Sequence, residues 1–181
     1  IQQYFNWRVV FLMLVVYTIF SWLVVKFLFK ETSQHHNKDR LKLGFVFKTY
    51  VGLFANRHFM SYSLCVFLAM GGLMSWIVSG PVILIKLLGI SPAEFGTLTV
   101  FAGMMMFFAN MTNIRLVKKI GMEKTIRAGL SIMLFAGVLM LALKFLLPMG
   151  VLVVLIPAMI FIFGATLIWP NTFALAFGPL A

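Results

Sequence analysis

Proline, tryptophan, amide and hydroxyl side chains recur in this chain inside runs that are otherwise apolar. Ser75, Trp76, Ser79 and Pro81 fall within "MSWIVSGPVILIK", and Asn110 and Asn113 close "MMMFFANMTN". Trp169, Pro170 and Asn171 open "WPNTFALAF". Such residues do not suit bond-making chemistry. Aromatic faces and a few amides on an apolar background suit the non-covalent binding of an amphiphilic small molecule. Proline adds a second effect. It has no N–H and crowds the preceding turn, at roughly 3 kcal/mol in a helix interior, and the freed carbonyl must find protein or water. Trp76, Ser79, Pro81, Asn110, Trp169 and Asn171 are therefore the residues expected to line or shape a substrate pathway. Packing is the alternative for each, and interfacial anchoring for Trp169 in particular.

Catalysis has no comparable support. The four acids, Glu31, Asp39, Glu94 and Glu123, fall between the apolar runs or at their ends, and His35, His36 and His58 have no third ligand beside them. No Ser/His/acid set, phosphate loop or metal cluster is present, so an enzyme is the least favoured class, with no cofactor and no metal expected. Cys65 is single and lies in an apolar run, which reads as a small core residue.

The elements that hold these residues follow from composition. Of 181 residues, 62% are hydrophobic and 10% charged, and the mean hydropathy is +1.05. A soluble surface needs more charge, so the lipid bilayer is the expected solvent. A net charge of +11 in a soluble protein would point to nucleic acid. Here the basic residues cluster between apolar runs, which reads as membrane topology, with no nucleic-acid partner. Runs of about 20 apolar residues can cross a bilayer as helices, and five qualify: 9–29, 62–88, 95–114, 128–147 and 151–174. The segments 30–57 and 115–127 carry most of the Lys and Arg, so both are expected on the cytoplasmic side. The N-terminal end of the chain then lies outside and the C-terminal end inside. Lys26, Lys86 and Lys144 sit near span ends, where they can snorkel to headgroups.

Local signals mark the turns. In "GISPAEFG", Ser91 can cap a helix, Pro92 suits its first position and Glu94 completes a capping box. Gly121 reads as a helix stop and Glu123 as the acid of the next first turn. Phe47, Tyr50, Val51 and Phe54 fall on one face of an amphipathic helix expected at the cytoplasmic membrane surface. Polarity is also unevenly shared. The first and fourth runs are nearly uniform grease, whereas the second holds Gly71, Gly72, Ser75, Ser79, Gly80 and Pro81. The fifth holds Pro157, Gly164, Thr166, Pro170 and Asn171. Paired Gly/Pro-interrupted spans point to a transport path.

Four segments in order resemble the bicyclomycin-resistance/chloramphenicol-efflux (Bcr/CflA) branch of the major facilitator superfamily. "NWRVVF…FKET" is similar to the family's sixth helix, and "YVGLFANRHFMSY" to the approach to the seventh. "SGPVILIKLLGISPAEFG" is similar to the seventh helix and its turn into the eighth, and "IWPNTFALAF" to the end of the tenth. "RLVKKIGMEKTIRAG" resembles the second copy of the superfamily's cytoplasmic motif. Gly121 stands at its central glycine and Lys119 at its basic position, while Lys118 replaces the acid and Ile114 the leading glycine.

The resemblance implies an all-α integral membrane protein: part of a major-facilitator-type helical bundle, with about five transmembrane helices matching the sixth to tenth. Residues 1–29 would be helix six, 30–58 a cytoplasmic loop with the amphipathic helix, and 59–181 four spans of the C-terminal half. Helices seven and ten would line the central cavity. It further implies proton-coupled efflux of drugs or amphiphilic small molecules by alternating access in a bacterial inner membrane. The coupling carboxylate would lie in the N-terminal half, which this chain lacks. A dedicated metabolite or siderophore exporter, or a truncated membrane protein without transport, are the alternatives.

Overall fold

The computed structural model describes residues 7–29 and 43–178. Glu31, Asp39, His35, His36 and the rest of residues 30–42 in the 30–58 connection lie outside the described residues. The described residues form six α-helices and one π-helical segment, with no strand among them. Five stretches are long and apolar enough to cross a membrane: Arg8–Leu28, Arg57–Leu87, Pro92–Ile120, Met122–Leu146 and Val151–Phe177. This is the helical bundle expected from the five apolar runs.

The chain divides into two units, Ile1–Val46 and Phe47–Ala181. In the first, α1 (Trp7–Leu28) is mainly apolar, with Arg8 and Lys26 near its ends, and buries none of its apolar stretch. Its Lys26 ammonium lies 4.7 Å from the Trp22 ring centre, a cation–π contact that holds the charge against an aromatic side chain. The short helix α2 (Leu43–Ala55) crosses from one unit into the other and has no buried residue.

In the second unit, α3 (Arg57–Pro81) starts at Asn56, whose side-chain oxygen accepts from the backbone N–H groups of His58 and Phe59. The α-helical winding stops at Pro81 and continues as the π-helical segment Val82–Leu87. There the Leu88 N–H donates to the Ile83 carbonyl five residues back, at 3.0 Å. A proline that withholds its own N–H thus leads into a wider turn rather than a clean break. Gly89 takes a φ of 71°, the left-handed region that glycine reaches without strain.

The next helix, α4 (Pro92–Ile120), opens with both halves of the capping box. The Ser91 N–H donates to Glu94 Oε2 at 2.7 Å and the Glu94 N–H to Ser91 Oγ at 3.2 Å. Its other end differs from the expected span. The hydropathy run ends at 114, but the helix continues to Ile120, because Arg115, Lys118 and Lys119 are good helix formers once outside lipid. Only Gly121, at φ 84°, separates α4 from α5 (Met122–Leu146). The segment 115–127 is therefore two helix ends around one glycine. The Thr125 hydroxyl donates to the Gly121 carbonyl at 2.8 Å and fixes the turn from below.

The last helix, α6 (Val151–Phe177), is the centre of this unit. Half of its hydrophobic window is buried, against 17% or less for every other span. It stays helical through Pro157 and Pro170. Against α5 the approach is close: a Cβ added at Gly129 would stand 2.8 Å from the Gly164 carbonyl, and one at Gly164 would stand 2.8 Å from the Gly129 carbonyl. Lipid gives helices no hydrophobic reason to associate, so backbone-to-backbone packing through small residues supplies the cohesion. Against α3, Gly72 leaves the space that the Phe161 ring fills.

Candidate functional site

Five of the six pathway residues expected from sequence are distributed over two clefts and one buried contact. The first cleft lies between α3, α4 and α6, with a volume of about 310 Å³. Leu73, Met106, Asn110, Thr166, Trp169 and Pro170 are among its lining residues. The Asn110 side-chain N–H donates to the Met106 carbonyl one turn back, at 2.9 Å, which holds the amide against its own helix. Trp169 is half-exposed and its ring lies 6.3 Å from that of Phe173. The Thr166 hydroxyl donates to the Ile162 carbonyl at 2.8 Å, so this hydroxyl is satisfied within α6.

The second cleft lies between α3, α5 and α6, with about 290 Å³. Trp76 and Ser79 line it with Ser75, Met140, Pro157 and Phe161. Trp76 lies back along its own helix, over the space in front of Gly80, where a Cβ would be 3.4 Å from the ring. The Ser75 hydroxyl donates to the Gly71 carbonyl at 2.9 Å. Pro81 lines neither cleft; it stands at the junction between α3 and the π-helical segment.

Asn171 is 4% exposed and does not face open space. Its side-chain N–H group donates to Asn113 Oδ1 at 2.6 Å and to the Leu167 carbonyl at 2.8 Å. Asn113 is itself buried, so α4 and α6 are joined by a paired amide with no buried side-chain polar atom left unsatisfied among the described residues. Asn113 belongs beside Asn171 in any account of the site. Its signal in the sequence is its place one turn from Asn110 on the same helix.

A third cavity, about 540 Å³, lies between α2, α3 and α6 and is almost wholly apolar. Tyr50, Leu53 and Phe54 of the amphipathic helix line it, facing Phe59, Phe173 and Phe177. The Phe173 and Phe177 rings stack with centres 6.2 Å apart, and Phe59 meets Phe177 edge-on at 5.7 Å. At the end of α4, Lys119 is exposed beside Gly121. Among the described residues the charges nearest this turn that pair are Glu123 and Arg127, 3.9 Å apart and well exposed. No group of three or more potential metal ligands occurs among the described residues.

Two curated proteins are similar to the chain. It is 26% identical over 150 residues to the "Bicyclomycin resistance protein homolog" of Haemophilus influenzae, covering 83% of this chain and 37% of that protein. It is 29% identical over 144 residues to the "Chloramphenicol resistance protein CraA" of Acinetobacter baumannii, covering 78% of this chain and 33% of that protein. The chain thus spans about a third of the length of the curated relatives it matches. No solved structure matches it. The family model of the Major Facilitator Superfamily matches residues 1–179. A multi-pass helical bundle with prolines inside two of its helices and ligand-sized clefts between them agrees with that match, and the chain belongs to the major facilitator superfamily of membrane transporters, beside its drug-resistance members.

Proposed function

We propose that this chain is part of an exporter of drugs or drug-like amphiphilic molecules, driven by protons and working by alternating access in a bacterial inner membrane. In this reading residues 1–29 are helix six, 30–58 the cytoplasmic connection and 59–181 four spans of the C-terminal half. The segments 30–57 and 115–127 face the cytoplasm, and an N-terminal half completes the cavity and carries the coupling carboxylate. Similarity to proteins named for bicyclomycin and chloramphenicol resistance supports the substrate class.

The carrying observation is the cleft that α6 shares with α3 and α4. It combines an apolar wall with one amide and one indole, a balance suited to holding an amphiphile loosely enough to release it. Pro81 and the π-helical turn beyond it supply a place where α3 can change its winding as access alternates. Everted vesicles carrying the full-length protein test this. They should accumulate chloramphenicol when an inward-acid proton gradient is imposed and stop when it is collapsed. Accumulation that ignores the gradient would contradict proton coupling.

A further inference from the structure

We propose that Asn110 determines specificity in the α3/α4/α6 cleft by accepting a hydrogen bond from an uncharged hydroxyl on the substrate. The inference rests on the export reading above and adds which chemical group the cleft recognises.

Three features carry it. The Asn110 amide nitrogen is held by the Met106 carbonyl at 2.9 Å, while its Oδ1 accepts no hydrogen bond from the described residues. The second feature is on α6. Thr166 and Pro170 both line it, and proline at 170 has no N–H to return to the Thr166 carbonyl, its normal partner one turn back. Asn110 is exposed, so a ligand that covers it and donates to Oδ1 is favoured over one that covers it without donating. The third feature is charge. No charged residue lines this cleft. Glu94, the acid on the same helix, is sixteen residues from Asn110, about 24 Å at the α-helical rise. On this chain's side of the cleft an organic cation meets no carboxylate, whereas a neutral hydroxyl can exchange its water for Oδ1. The Trp169 ring supplies an apolar platform beside these acceptors.

The α3/α5/α6 cleft carries hydroxyls in place of an amide: Ser75 donates to the Gly71 carbonyl and Ser79 lines the cleft beside it.

Purified full-length protein in vesicles tests this with three probes: chloramphenicol, its di-O-methyl ether and tetraphenylphosphonium. Binding is read by tryptophan fluorescence and transport by gradient-driven accumulation. The native protein should prefer chloramphenicol over the ether by about tenfold or more. Asn110→Leu should bring that preference within about twofold, and Asn110→Asp should raise affinity for tetraphenylphosphonium. Pro170→Ala returns a donor to the Thr166 carbonyl and should reduce the preference in part, which keeps the test open if Asn110→Leu fails to fold. Equal handling of chloramphenicol and its ether by native protein, or full preference in folded Asn110→Leu, would overturn the inference. Those results would leave export itself intact. Native protein that binds with this preference but never transports would contradict the export reading alone.

Discussion

Against α5, the last helix packs through glycine backbones; against α4, it is joined by an amide pair and bordered by a cleft. At Gly129 and Gly164 each carbonyl occupies the space a Cβ on the other residue would need. At Asn113 and Asn171 the side chains meet at 2.6 Å, and beside them the helices part enough to leave about 310 Å³. Where Gly129 meets Gly164 the first face gains dispersion and leaves no room for a ligand; its cleft of about 290 Å³ lies elsewhere, at Met140, Pro157 and Phe161. The second uses one polar contact to hold two helices at a spacing that keeps space open. A transporter needs both, a rigid pair to move as a body and an open pair to bind.

The largest effect should come from attacking the seam. Gly164→Leu puts a branched side chain against the Gly129 carbonyl and Met133, and a Cβ alone already overlaps there. We expect the full-length protein to lose folded yield in detergent, read by size-exclusion chromatography. Normal yield and melting temperature would show that the α5–α6 approach is looser than described.

A smaller loss is expected from Asn171→Leu. The change leaves the buried Asn113 amide without its partner, and interhelical hydrogen bonds in membranes are worth about 0.6 kcal/mol on average and up to about 1.7 kcal/mol. A fall of a few degrees in melting temperature is the expected reading. Asn113→Leu added to Asn171→Leu should recover part of it, because both amides are then gone. Additive losses would mean that the two residues act separately. Transport by Asn171→Leu should fall below that of Ser131→Leu, whose side chain is exposed on α5. Ser131→Leu itself should change melting temperature and transport within error, the smallest effect of the series.

What could be read from the sequence was mostly local. The Ser91–Glu94 box and the Gly121 stop rely on residues three or four apart, and both appear with the expected bonds or backbone angle. Pro81 marked the end of regular winding because proline acts on its own turn. Pro157 and Pro170 carried the same signal, yet α6 runs straight through them. The different outcome has a tertiary cause: α6 is held by neighbours on several sides, while the segment after Pro81 runs toward a helix end. Span ends at 114 and 128 missed the helical basic turns because hydropathy reports the lipid boundary, not the hydrogen-bond ladder.

The glycine seam was also hidden. Gly129 sits in a run that reads as uniform grease, and its meaning depends on Gly164, thirty-five positions later. The same holds for Asn113 and Asn171, 58 residues apart. Composition placed amides on the right helices, but only the crossing of α4 and α6 decides which amide is buried in a pair and which faces space. Asn110 and Asn113 differ by one turn and end in opposite roles.

The central claim is that the α4 side of α6 faces the substrate and the α5 side does not. Single cysteines at Asn110 and Met140, one in each cleft, test it in full-length protein whose Cys65 is replaced by serine. Labelling by a polar maleimide is followed with and without saturating chloramphenicol. The account predicts that Asn110→Cys is labelled and then protected by the drug, while protection at Met140→Cys is absent. Protection at Met140→Cys with none at Asn110→Cys would contradict it.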